Sequence, residues 1–132
     1  MAGREEQSAL SEAQMEIMNV VWDLGEPTVA EVWKALSAKR NWARNTVQTM
    51  IARLEEKGTL RRVEDGPTLR YRAVQGRAAT LKKLSRRVVA TLFQGSTEGL
   101  LAALLAGRRL SNEEAERLRA LIDQSERKNS DE

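Results

Sequence analysis

Residues Asn45 to Gly58, NTVQTMIARLEEKG, constrain this chain more than any other stretch. Val47, Met50, Ile51 and Leu54 recur at the spacing of one helical face, so the segment predicts an amphipathic helix with a single buried stripe. Its other face carries Arg44, Asn45, Gln48, Thr49 and Arg53, side chains able to meet base edges and phosphates in a major groove. Gly58 supplies a stop. Then come Thr59-Leu60-Arg61-Arg62-Val63, a turn at Glu64-Asp65-Gly66-Pro67, and Thr68-Leu69-Arg70-Tyr71-Arg72-Ala73-Val74. This is a β-hairpin with arginines on both strands. A polar-faced helix followed by a basic hairpin predicts a winged helix-turn-helix that binds DNA.

Charge follows the same division. The net charge is only +3. Residues 1–38 hold two basic and seven acidic residues, a net of −5, whereas residues 39–72 hold nine basic and four acidic, a net of +5. The basic segment coincides with the expected recognition helix and hairpin, the electrostatic footprint of nucleic-acid binding. A basic solvated face is the plainer reading of a charge run taken alone.

The chain has no cysteine and no histidine. That removes disulfides, thiolate metal sites, the commonest general base and the commonest transition-metal ligand. No catalytic residue, metal site or cofactor is expected. No apolar run approaches the roughly 20 residues of a membrane span, and the N-terminus lacks the apolar core of a signal peptide. A cytoplasmic protein without membrane insertion is expected.

The organisation reads as four segments: a disordered 1–9, a winged helix-turn-helix over 10–75, a helical dimerisation domain over 76–124, and a disordered tail over 125–132. The fold class is mainly α with a small β-hairpin. Ser11 with Gln14 and Thr28 with Glu31 are capping boxes. Leu10 and Met15 can form a hydrophobic staple, and Ala13, Ile17, Val20, Val21 and Leu24 the stripe of the first helix. Val29, Val32, Trp33 and Leu36 form the stripe of the second. Gln75-Gly76-Arg77 reads as a hinge. Three helices follow it, opened in part by Ser96 and by Ser111 with Glu114. Their apolar residues Leu81, Leu84, Val88, Leu92, Phe93, Leu100, Leu101, Leu104, Leu105, Leu118, Leu121 and Ile122 exceed what one small body hides. A two-fold dimer would bury the excess; packing back on the winged helix as a monomer is the alternative.

Individual roles have competing readings. Gln48 can pair with adenine N6 and N7, or be a solvated helix glutamine. Asn45, Thr46 and Thr49 can touch bases or phosphates, while Thr46 can instead cap the helix. Arg53 can reach guanine or phosphate, or pair with Glu55 or Glu56. Lys39 and Arg44 read as phosphate clamps. Arg61, Arg62, Arg70 and Arg72 alternate along strands, so only some can face DNA. Tyr71 can use its hydroxyl on the backbone or cover the sheet. Trp42 can plug the core or rest beside a phosphate, whereas Trp22 and Trp33 read as core. Arg77, Lys82, Lys83, Arg86 and Arg87 line the linker helix, as a solvated face or a second backbone contact.

Several segments together resemble the penicillinase repressor family of winged-helix regulators, the BlaI/MecI/CopY type. They are Leu10-Ser11-Glu12-Ala13-Gln14-Met15-Glu16-Ile17-Met18 with Val21-Trp22, Thr28-Val29-Ala30-Glu31-Val32, Trp42-Ala43, Thr46-Val47-Gln48-Thr49 and Arg53-Leu54-Glu55-Glu56-Lys57-Gly58. Leu92-Phe93 with Gly95-Ser96 and Leu110-Ser111 with Glu113-Glu114 extend the match over roughly residues 10–123. The resemblance implies a homodimeric repressor on a two-fold-symmetric operator. It also implies release by proteolysis in the dimerisation helices, triggered indirectly by a membrane-bound sensor protease, as in β-lactam resistance; the matching bond falls near Ala103-Leu104. The copper-responsive branch uses C-terminal cysteines, which this chain lacks. The alternative from another class is a winged-helix protein-interaction module that does not bind DNA.

Overall fold

A computed structural model describes residues 10–130. The expectations for residues 1–9 lie outside the described residues. The elements run α1 (Glu12–Leu24), α2 (Val29–Leu36), α3 (Arg44–Glu56), β1 (Leu60–Asp65), β2 (Thr68–Ala73), α4 (Arg77–Leu92), α5 (Thr97–Leu105) and α6 (Asn112–Ser130). The fold is mainly α with one antiparallel hairpin, a winged helix-turn-helix followed by three helices.

Local chemistry sets the helix ends. Both expected capping boxes form: Ser11 and Thr28 accept from the amides of Gln14 and Glu31, whose side chains accept in return from the capping residues' own amides. Such caps stabilise by about 1 kcal/mol each. At the end of α3 the Thr59 amide donates to the Leu54 carbonyl and the Gly58 amide to the Glu55 carbonyl. This is a Schellman stop, and it requires the positive φ of 79° at Gly58. The hairpin turn is tighter than its sequence suggested. Glu64 and Asp65 belong to β1, leaving only Gly66-Pro67 between the strands. A φ of 61° at Gly66 followed by proline fits a II′ turn, whose twist matches the strands.

Ile17, Met18, Val21, Val32, Leu36, Val47, Ile51, Leu54, Leu60 and Tyr71 form one core, drawn from α1, α2, α3 and both strands. The stripe of α1 is rotated from its expected position. Met18 is fully buried whereas Leu24, beside the terminating Gly25, is 52% exposed. Among the described residues the sheet has two strands, and the Tyr71 amide on the outer edge of β2 is satisfied by the Pro27 carbonyl at 2.9 Å. That bond places the hairpin beside the N-terminus of α2.

The chain divides into two compact units, residues 1–84 and 85–132, so the division falls inside α4 rather than at Gln75. In the second unit no described residue is fully buried. Gln94 at φ 51° and Gly95 at φ 85° turn the chain sharply after α4, and Ser96 caps α5 by accepting from the Gly99 amide. α6 continues to Ser130, so residues 125–130, expected as a disordered tail, are helical. The run of Glu113 and Glu114 in its first turn and Arg127 and Lys128 in its last complements the helix dipole and favours that extension.

Candidate nucleic-acid interface

α3 is held from one side only. Val47, Ile51 and Leu54 are fully buried, and Arg44, Asn45, Thr46, Gln48, Thr49 and Arg53 are exposed. Its approach is fixed by the Trp33 indole N–H, which donates to the Trp42 carbonyl at 2.9 Å. Trp42 is half-buried against the core, and the Arg40 guanidinium lies 5.5 Å from its ring centroid. Arg40 itself forms a bidentate pair with Glu16, which raises its pKa and removes it from the exposed cation supply.

The start of α3 differs from those of α1 and α2. Its N-cap is Ala43, with no side-chain cap and no acid in the first turn. Thr46 therefore lies inside the helix, and the capping role considered for it is not used. The uncapped N–H groups and the positive end of the helix dipole meet solvent at the exposed Arg44, an arrangement suited to an anion such as phosphate. Further along, Thr49 Oγ1 donates to the Asn45 carbonyl at 2.9 Å. Asn45, Thr46, Thr49, Met50 and Arg53 line a shallow groove on this face. Gln48 projects beside it, exposed.

The hairpin sorts its arginines. In the register, Arg62 pairs with Tyr71 and Arg61 with Arg72. Leu60, Arg62, Tyr71 and Ala73 thus share the inner face, while Arg61, Arg70 and Arg72 share the outer one. Tyr71 is in the core, 6% exposed, so of its two readings the structure places it as cover for the sheet. Arg62 is drawn to Glu55 on α3 by two hydrogen bonds of 3.1 Å. Arg70 meets Glu31, Asp65 and the Glu26 carbonyl, and Arg72 lies 3.6 Å from Glu26. Arg70 thereby joins the capping box of α2. Glu31's carboxyl is lowered first by its hydrogen bonds with Thr28, then by Arg70.

Of the nine basic residues between 39 and 72, four form no ion pair among the described residues: Lys39, Arg44, Arg53 and Arg61. Three of them lie on α3 or its approach. Arg53 is not paired with Glu55, which holds Arg62 instead. Lys57, half-buried, donates to Gln14 Oε1 at 2.9 Å, and its burial lowers its pKa. Sequence spacing had no means of showing these assignments, because every partner lies outside the residue's own helix or strand.

The apolar residues assigned to dimerisation fall into two groups. Leu84, Val88, Phe93, Leu100 and Leu118 are half-buried, with Phe93 packed within 3.4 Å of the position a Cβ on Gly99 would take. Leu81, Leu92, Leu101, Leu104, Leu105, Leu121 and Ile122 are exposed. Ala103 and Leu104 both lie exposed within α5. Among the described residues no group of histidine, cysteine, aspartate or glutamate could hold a metal ion, and no single helix is long and apolar enough to cross a membrane.

A helix with an exposed polar face, a helix-turn-helix approach and a hairpin behind it define a winged-helix DNA-binding protein. The penicillinase repressor family model matches residues 10–124, and the chain belongs to that family. It is a DNA-binding transcriptional repressor and not an enzyme. It is similar to the transcriptional regulator BlaI of Mycobacterium tuberculosis (strain CDC 1551 / Oshkosh), with 32% identity over 120 residues, 89% of this chain and 85% of the relative. The penicillinase repressor of Bacillus licheniformis is 27% identical over 115 residues, 87% of this chain and 90% of the relative. Among solved structures, the monomeric form of Bacillus licheniformis BlaI in complex with the blaP half-operator is 33% identical, with a TM-score of 0.49 over 53% of this chain and 85% of that one.

Proposed function

We propose that this chain represses transcription as a cytoplasmic homodimer that places one α3 in the major groove of each half of a two-fold-symmetric operator. The observation that carries the reading is the pairing pattern. Between residues 39 and 72 the cations without an acidic partner among the described residues are Lys39, Arg44, Arg53 and Arg61. Arg44 and Arg53 stand on α3 with the exposed Asn45, Gln48 and Thr49, Lys39 precedes that helix and Arg61 follows it in β1. The cations position through phosphates and the exposed polar residues read bases. The dimer is supported by Leu92, Leu101, Leu104, Leu105, Leu121 and Ile122, large apolar side chains open to water in one chain. Domain boundaries follow the same reading: DNA binding resides before Leu84 and self-association after it.

Release by proteolysis at Ala103-Leu104 would act on the same surface. A cut there separates Leu101 from Leu104 and Leu105, and severs the chain between α4 and α6. Because the bond lies in a regular helix, a protease must first unwind α5 locally.

The test begins with duplexes selected from random DNA by the full chain. Binding should weaken steeply with salt, log K falling against log salt by several units. Gln48→Ala should lose about 1–3 kcal/mol of discrimination at one or two base pairs in each half-site. Salt-independent binding would favour the protein-interaction alternative. Equal weakening on selected and random DNA would remove Gln48 from base reading.

A further inference from the structure

We propose that Trp22, Asp23 and Arg77 form a latch that fixes the direction in which α4 leaves the winged helix. The latch makes Arg77 a positioning residue for simultaneous engagement of two operator half-sites. The positioning role rests on the dimeric repressor reading above; the latch itself stands on geometry alone.

Gln75-Gly76-Arg77 looks like a free hinge in sequence, with a glycine at its centre. The structure holds it on both sides of that glycine. The Trp22 indole N–H donates to the Gln75 carbonyl at 3.0 Å. Arg77 Nη2 donates to Asp23 Oδ1 at 2.6 Å and to the Asn19 carbonyl at 3.0 Å. Its guanidinium also lies 5.4 Å from the Trp22 ring centroid. All these partners belong to the last half of α1. Thr80, one turn into α4, is buried, and its amide donates to the Gly76 carbonyl.

The position of Arg77 supports this assignment. It stands in the first turn of α4, which has no acidic residue, where the helix dipole disfavours a cation. An arginine there gains from what it reaches on α1, not from its own helix. A guanidinium can stack on an indole and donate to two acceptors at once; an ammonium cannot reproduce that combination. Being engaged in this way, Arg77 is separated in role from Lys82, Lys83, Arg86 and Arg87 further along the helix.

Two linked reading heads gain affinity through effective concentration, which is highest when the link holds them at the spacing of the sites. A fixed departure of α4 keeps that spacing. A loosened one spreads the heads over many spacings and lowers the gain without altering either head.

The experiment compares the full chain with Arg77→Ala, Asp23→Ala and Arg77→Lys. Amide hydrogen exchange without DNA reads the latch. Thr80, Leu81 and Lys82 should exchange about tenfold faster in Arg77→Ala, an opening equilibrium shifted by local loss of contacts. Binding is then measured to a duplex selected by the wild-type chain and to its half. Arg77→Ala and Asp23→Ala should each lose about 5–10-fold on the full duplex, with the half within about twofold and dimerisation unchanged in sedimentation. Both should tolerate one added base pair between half-sites better than the wild type does. Arg77→Lys should fall between. Unchanged exchange in Arg77→Ala overturns the latch, whatever the DNA result. Equal losses on full and half duplex, or a loss in Arg77→Ala that Asp23→Ala does not share, overturn the positioning role and make Arg77 a phosphate contact. If the wild-type chain prefers no full duplex over its half, the dimer reading fails and the positioning role with it, while the exchange result still decides the latch.

Discussion

In the first unit Ile17, Val32, Val47, Ile51 and Leu54 are sealed from water by residues of the same chain. In the second, Leu92 is 71% exposed and Leu121 61%, although both are the same kind of side chain at the same helical spacing. The first unit has elements on several sides of its core, three helices and a hairpin. The second has helices whose apolar stripes find no complete cover within one chain. Apolar side chains left open in this way are what the proposed self-association would cover. Under the proposed function, reading of DNA belongs to the self-contained unit and self-association to the open one.

The comparison can be broken first at the core. Ile51→Ala should cost about 2–5 kcal/mol in urea unfolding, by lost transfer energy and a residual cavity. Leu121→Ala should cost far less in a sample dilute enough to be monomeric, and more as the concentration rises. A concentration-independent cost as large as that of Ile51→Ala would mean that Leu121 is buried within its own chain.

Next, Leu101→Asp with Leu105→Asp should abolish the dimer in sedimentation and lower affinity for the full selected duplex about 100-fold through lost effective concentration. Binding to the half duplex should stay within about twofold of wild type. A parallel loss on both would show that the second unit supports the fold of the first.

A finer cut separates free from committed arginines. Arg61→Ala should weaken all DNA sequences alike and reduce the salt slope by about one per protomer. Arg62→Ala should barely change the slope, because Glu55 already holds that guanidinium. Equal effects would mean that DNA draws Arg62 away from Glu55.

The smallest effect concerns acid. Glu31's carboxyl lies below its ordinary value of 4.5 through Thr28 and Arg70. A depressed folded-state pKa adds stability above the unfolded value, lost as pH falls through the folded one. Glu31→Gln keeps an acceptor for the cap but drops the Arg70 pair. Its unfolding midpoint should therefore fall less between neutrality and the region below pH 4.5 than that of the wild type. An identical pH profile would show that the pair is too well solvated to matter.

Much of the fold is legible in the residues themselves. The Ser11 and Thr28 boxes, the stripe of α3 and the Gly58 stop act over a few residues, a range at which sequence spacing is geometry, whereas the hairpin turn was legible only in its place, since Glu64 and Asp65 belong to β1. The rotation of the α1 stripe was less legible. Met18 and Leu24 are both apolar, and only the packing of α2, α3 and the hairpin around α1 decides which is covered. The length of α6 was likewise obscured by polar residues, which serve as well on an exposed helix as in a tail.

The candidate site divides in the same way. Sequence alone determined that α3 carries a polar face of Asn45, Gln48, Thr49 and Arg53 opposite a buried stripe, since a 3.6-residue period permits no other arrangement. It also determined that charge is concentrated between residues 39 and 72. Tertiary structure decided which charges remain available. Arg40 lies with Glu16, Arg62 with Glu55, Arg72 with Glu26 and Arg77 with Asp23, across separations of 7 to 54 residues. Coulomb attraction and hydrogen bonding act through space, over a few ångströms, so only the fold that closes those distances selects the partner.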